Sequence, residues 1–309
     1  MSQIKATVIA DSISPHGIRL TTFELVYHRY IHSEFMTHRM VSKNSASSRA
    51  IPTAKLLEQV RTNPMMPIHW GQNQKGMQAG QELTARGREE AEDRWLWAAG
   101  QAADAAEGML EAGLHKQIAN RVLEPFVAMR VIATATEWNN FFHLRDHPDA
   151  QPEIQELAKQ MRIAREAATP TLLHPGMWHL PYVTPKTTVE VHNHLKHGRI
   201  TRDEPRPAEV LTLLKQISVA RCARVSYNNF EGRPSTIEED LALFDKLVGS
   251  SPLHASPTEH QATPDTQTEV IDRHQYVDPY MEWNNPQLHG NLKGWIQYRK
   301  MLSGENVPG

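Results

Sequence analysis

Residues 37–50 read THRMVSKNSASSRA, placing His38, Arg39 and Arg49 around a serine-rich centre. The segment before it (Phe23, Leu25, Val26, Tyr30, Ile31, Phe35, Met36) mixes strand-like alternation with helix-like spacing, which predicts a strand entering a short helix. His38 and Arg39 then stand at the end of an element. Beyond them Ser42, Asn44, Ser45, Ser47 and Ser48 supply hydroxyl and amide donors, and Arg49 adds a planar fork that suits a phosphate dianion. Pro52 stops the run. On composition alone the same run also reads as a solvated serine-rich loop flanked by surface arginines.

Working outward, residues 4–9 and 19–27 read as strands joined by the turn SPHG. Residues 83–113, rich in Ala and Glu, predict a long helix or a pair broken at Gly100. Further helices are expected at 115–130, 152–168, 206–221 and 236–248. The proline- and histidine-rich stretch 169–205 reads as irregular apart from a short strand at 187–191, and GWIQYRK at 294–300 reads as an amphipathic basic helix. No repeat of 20–50 residues is evident. The mixture predicts an α+β domain in which helices surround a mostly antiparallel sheet.

With 309 residues and 39% hydrophobic content the chain can bury a substantial core. No stretch approaches the ~20 apolar residues of a membrane span, and the first residues lack the basic head and apolar core of a secretory signal, so a cytoplasmic location is expected. A formal net charge of -2 gives no case for nucleic-acid binding. Local basic clusters must then serve something small. The single cysteine, Cys222, excludes an intramolecular disulfide and fits a reducing compartment. Between Arg221 and Arg224 it reads either as a thiol of lowered pKa or as a small buried residue on a helix. His192, His194 and His197 lie close together and His28 and His32 are four apart, but no carboxylate is spaced to complete a metal site, and none is expected.

The pattern of His38 and Arg39, seven residues, Ser47 and then Arg49 resembles the RHR-x7-S signature of flavin-dependent thymidylate synthases, with Thr37 where the first arginine normally stands. WNNFFHLRDHPDAQPEIQELA at 138–158 resembles a later helical segment of that family. ARVSY at 223–227 and HASPTEHQA at 254–262 resemble segments that precede the signature in short members; here they follow it, which reads as a circular permutation of one domain spanning 1–309. Blocks 18–52, 119–163 and 220–264 carry the resemblance. Residues 53–117 and 165–215 are unmatched insertions or helices.

The resemblance implies an FAD enzyme that reductively methylates dUMP to dTMP, with methylenetetrahydrofolate and NADPH as co-substrates, assembled as a homotetramer. No G-x-G-x-x-G follows a strand, so the flavin is implied by resemblance alone. Carried over by position, FAD contacts fall on Thr37, His38, Arg39, Asn140, His254 and Ser256. Those for dUMP fall on Glu34, Ser47, Arg49, Arg121 and Arg145. Arg145 is the implied catalytic residue, its guanidinium set against the uracil edge to stabilise charge on N3 and O2. Two departures bear on this: Thr37 cannot supply the charge of the missing arginine, and Ser45 stands where familiar members carry Glu or Gln. A related enzyme that hydroxymethylates dUMP or acts on dCMP is therefore an alternative, as is a catalytically silent flavin- or nucleotide-binding protein. Residues 66–80, with His69 and Trp70, are unmatched and read as a lid over flavin or folate or as a plain insertion.

Overall fold

The structure is a computed structural model and describes residues 3–197, 204–225, 234–270 and 280–306. β1 (Lys5–Ile13) and β2 (Arg19–His28) pair antiparallel across the SPHG turn, where Gly17 takes a left-handed φ of 77°. A 3-10 turn leads into α1 (His32–Met36), and residues 42–45 form β3 (Ser42–Ser45). Three helices follow, α2 (Thr53–Thr62), α3 (Ala85–Glu111) and the short α4 (Lys116–Ala119), before the chain returns to the sheet as β4 (Ala128–Ala135). Then come α5 (Asn139–Arg145), α6 (Pro152–Ala167), β5 (Thr171–Leu172), α7 (Pro185–His197), α8 (Pro207–Arg224) and α9 (Ile237–Val248). Two small ribbons, β6 (Ala262–Pro264) with β9 (Trp295–Gln297) and β7 (Gln267–Val270) with β8 (Tyr280–Trp283), complete the described elements.

The main sheet has the order β3-β4-β2-β1-β5 and is antiparallel except for the β1–β5 pair. Helices surround it, so the fold is α+β. Successive side chains on each strand point to opposite faces. On one face Phe23, Leu25 and Tyr27 of β2 and Val131, Ala133 and Ala135 of β4 pack against α5 and α6 through Phe141, Ile154, Leu157 and Met161. Each fully buried large side chain there contributes roughly 1.5–3 kcal/mol.

The other face is partly polar. Ser12 Oγ lies 2.8 Å from His179 Nδ1, His179 Nε2 lies 2.8 Å from Thr22 Oγ1, Thr22 and Thr134 hydroxyls are 2.7 Å apart, and Thr134 Oγ1 lies 2.8 Å from His260 Nδ1. All five residues are buried, and burial pushes both histidines down to about 3, so each is neutral. This chain of bonds ties residues 179 and 260 to the centre of the sheet. Beside it Ile132 packs on Cys222 and Val225 of the α8 end.

Several elements decide between the sequence readings or differ from them. α3 runs through Gly100 unbroken, because Ala99, Ala103 and Ala106 present one small-residue stripe that packs with α2 and the segment around Leu123. That packing outweighs the ~1 kcal/mol a helical glycine costs. The helix expected over 115–130 ends in a 3-10 turn containing Pro125, which lacks the N–H to continue, and residues 128–135 are the strand β4. At 187–191 the structure has α7 in place of a strand. Pro185 stands in its first turn, and Thr184 and Thr187 exchange backbone-to-hydroxyl bonds of 3.3 and 3.2 Å that cap it. The run 294–300 is not one amphipathic helix: Trp295–Gln297 pairs with β6, Tyr298–Met301 makes a short 3-10 turn, and Gly294, at φ 78°, sits where a Cβ would lie 2.5 Å from the Ile18 side chain. The serine-rich run is not a solvated loop either, since Ser42, Asn44 and Ser48 are buried.

Candidate functional site

β3 is the edge strand that carries the site, and its alternation sorts the motif. Lys43 and Ser45 share the α6 face with their β4 partners Ala133 and Val131, while Ser42 and Asn44 share the α8 face with Thr134 and Ile132. Each face collects a different set of the expected residues.

On the α6 face, α1 presents Glu34 and α5 ends on Arg145. Arg145 Nη1 donates to Glu34 Oε1 in a short ion pair, and Arg145 Nε donates to His38 Nε2 at 2.9 Å. His38 is edge-on to Phe141 with centroids 4.8 Å apart. Burial, then the Arg145 and Lys43 charges, hold His38 down at about 4. It is therefore neutral at pH 7 and able to accept from the guanidinium. Lys43 Nζ donates to the carbonyls of His38 and Val41 at 2.6 and 3.0 Å. Ser45 Oγ lies 3.4 Å from His32 Nε2, where a longer side chain is absent. Arg145 does not pair with Asp146 or Glu153; Asp146 is held by Arg162.

On the α8 face a cleft of about 380 Å³ is lined by Asn44, Ser47, Arg49, His254, Ser256 and Pro257, with Leu247 at its side. Two distant stretches of sequence meet here because Asn44 Nδ2 donates to the Cys222 carbonyl at 2.7 Å while His260 is bonded to Thr134. Ser256 opens a 3-10 turn, Ser256–Glu259, that runs directly into His260. Arg49, His254 and Ser256 are exposed, and Arg49 has no hydrogen-bond or ion-pair partner among the described residues. Arg121 is linked to the Ser47–Arg49 stretch: it pairs with Glu124 at 2.7 Å, and Glu124 in turn accepts from Ser48 Oγ at 2.7 Å.

Three expected residues stand outside both groups. Thr37 turns its hydroxyl onto the Glu34 carbonyl at 2.7 Å, Arg39 is exposed, and Asn140 is exposed on the first turn of α5. Ser226 and Tyr227 of the ARVSY block, and the His197 side chain, lie outside the described residues. Within one chain Arg145 is therefore separated from the Ser47–Ser256 cleft by the edge strand.

Other candidates resolve on geometry. Cys222 is fully buried and burial pushes its thiol up, so it behaves as a small core residue and not as a nucleophile. His28 bonds the Met66 carbonyl, His32 the Tyr27 hydroxyl, His192 the Thr188 carbonyl and His194 the Glu238 carboxylate. Among the described residues no group of three or more His, Cys, Asp or Glu side chains is placed to hold a metal ion. No described helix is long and apolar enough to cross a membrane. The 66–80 segment is an ordered loop, pinned by Leu83 N to Trp70 O at 2.8 Å and by Gln78 Nε2 to Asp149 O at 2.9 Å.

Sequence reasoning did not single out Lys43, His260, Thr134 or His179. The first and second lie inside quoted motifs; Thr134 stands in the apolar run AMRVIATA and His179 outside any strand, and neither gives a local signal.

Residues 13–171 match the family described as thymidylate synthase complementing protein. No curated protein matches the chain. Among solved structures it is similar to a UMP/dUMP methylase PolB from Streptomyces cacaoi bound with 5-Br UMP, at 18% identity and a TM-score of 0.43 over 53% of this chain and 89% of that one. The same protein bound with 5-Br dUMP gives 18% identity and 0.40, over 53% and 90%. The family match spans slightly more than half of the sequence and includes β2, the 37–50 motif, β4, α5 and α6; the chain belongs to the thymidylate synthase complementing protein family.

Proposed function

We propose that this protein is a flavin-dependent methylase that converts dUMP to dTMP, with methylenetetrahydrofolate as carbon donor and NADPH as reductant. The observation that carries the reading is the cleft in which Ser47 and Arg49 meet His254 and Ser256, residues drawn from two motif blocks at opposite ends of the chain. The permuted order of the blocks is supported by the same contact. A flavin nucleotide fits the donor set: its phosphates need a cation that the protein leaves uncommitted, and Arg39 is exposed without a partner among the described residues.

When bound, the reduced flavin supplies the hydride that finishes the methyl group. The chain itself binds and polarises. Ser47 and Arg49 take the nucleotide phosphate, with Arg121 supporting the turn through Glu124. Arg145, aimed by Glu34 and His38, stabilises negative charge that develops on the pyrimidine N3 and O2. His38, Arg39, Thr37, Asn140, His254 and Ser256 are assigned to the cofactor. Because Arg145 and the cleft stand on opposite faces of β3, we assign each complete site to more than one subunit, in a homotetramer. The 66–80 loop is assigned as a strap near the α5–α6 connection that borders the folate side.

Purified protein should be yellow, should bleach on adding NADPH, and should release tritium from C5-labelled dUMP only when folate and NADPH are both present. Yellow protein without turnover would instead favour a silent flavin-binding homologue. The short Ser45 side chain supports one second reading, action on dCMP or hydroxymethylation of dUMP. Tritium release from C5-labelled dCMP in preference to dUMP would select it.

A further inference from the structure

We infer that Lys43 is an anion-binding residue that takes a phosphate oxygen of the flavin nucleotide, in place of the charge that Thr37 lacks. This rests on the flavin reading above but is argued from the ammonium itself. β3 turns Lys43 onto the α6 face, where its Nζ lies 5.5 Å from the Phe35 ring centroid and donates to the His38 and Val41 carbonyls. Both acceptors are neutral. Among the described residues no carboxylate lies within 4 Å of this nitrogen.

The neighbouring half-buried cations differ. Arg145 has Glu34, Arg29 has Glu124 at 3.0 Å, and Glu259, the carboxylate whose field Lys43 feels, is already bound by Arg299. A charge withdrawn from water without a counter-ion is costly. Burial pulls Lys43 down to about 8, so it stays cationic at neutral pH and carries that cost. An arriving phosphate would relieve it.

The geometry also says where. Two of the three N–H groups fix the turn 38–41, which carries Arg39, and leave one donor for a ligand. Thr37 offers nothing comparable, since its hydroxyl is closed onto its own helix.

The test is flavin titration of the full-length protein, followed by flavin fluorescence, with FAD and with phosphate-free riboflavin. Lys43→Gln keeps two N–H donors on a slightly shorter stem and removes both the charge and the third donor. We expect its Kd for FAD to rise by about tenfold or more, with riboflavin binding and the melting temperature close to wild type. Adding Thr37→Arg to Lys43→Gln should recover most of the FAD affinity, and Lys43→Arg should retain it. An FAD affinity unchanged by Lys43→Gln, or an equal loss for FAD and riboflavin, would overturn the inference while leaving the flavin reading intact. Wild-type protein that takes up no flavin would overturn both.

Discussion

The two faces of β3 carry the same motif in opposite electrostatic states. On the α6 face Arg145 is matched by Glu34, braced by neutral His38 and backed by Phe35 and Phe141. On the α8 face Arg49 stands at the rim of an open cleft with no partner among the described residues. The first arrangement fixes a guanidinium before any ligand arrives, as charge stabilisation during a reaction requires. The second leaves a charge free to meet phosphate. The difference teaches that one edge strand can hold one guanidinium fixed on one side and leave another open on the other.

If that division is right, Arg145→Ala should lower dTMP formation by about 10²–10³-fold, the magnitude of removing one preorganised charge-stabilising donor, while FAD still co-purifies. An active Arg145→Ala enzyme would remove the role assigned to this residue. Arg49→Ala should instead raise the Kd for dUMP by about 10–100-fold through loss of a charge-assisted bond, with an unchanged melting temperature because the side chain is exposed. Calorimetric titration with dUMP separates the two effects.

The cleft depends on the buried bond chain that anchors His260. Thr134→Val keeps the shape but strands His260 Nδ1 and leaves Thr22 with His179 alone, and should cost roughly 1–3 kcal/mol in urea unfolding. A neutral result would mean that packing alone holds the 254–260 segment. The smallest effect per residue is acid sensitivity from His38. Its folded pKa is depressed to about 4 from 6.5, so its contribution to stability is present above pH 6.5 and is lost as pH falls through 4, where the unfolded chain takes up a proton first. His38→Gln should flatten the fall in melting temperature over that window.

How much of this was legible in the sequence follows from where its signals are local. β2 and α6 announce themselves by one-sided apolar spacing, and α9 by the Thr236 cap with its reciprocal Glu239 bond. β4 does not, because it is covered on both faces and its run AMRVIATA loses the alternation of a half-exposed strand. The candidate residues stand in readable motifs, but their separation onto two faces was not legible: that follows from the register of Ser42 against Thr134, a pairing set by residues ninety or so positions apart. The His179–Thr22–Thr134–His260 chain was equally hidden, since each member is an ordinary polar residue until the fold buries them together.

The central claim is that Arg145 of one subunit and the Ser47–Ser256 cleft of another form a single working site. Co-refolding Arg145→Ala with Arg49→Ala, assayed with labelled dUMP at a concentration well below the raised Kd of the Arg49→Ala site so that each parent alone releases little tritium, tests it directly. Mixed oligomers should regain a readily measured share of wild-type turnover, because some sites then receive both native arginines. A mixture as inactive as its parents, with mixed assembly confirmed by mass, would contradict the account.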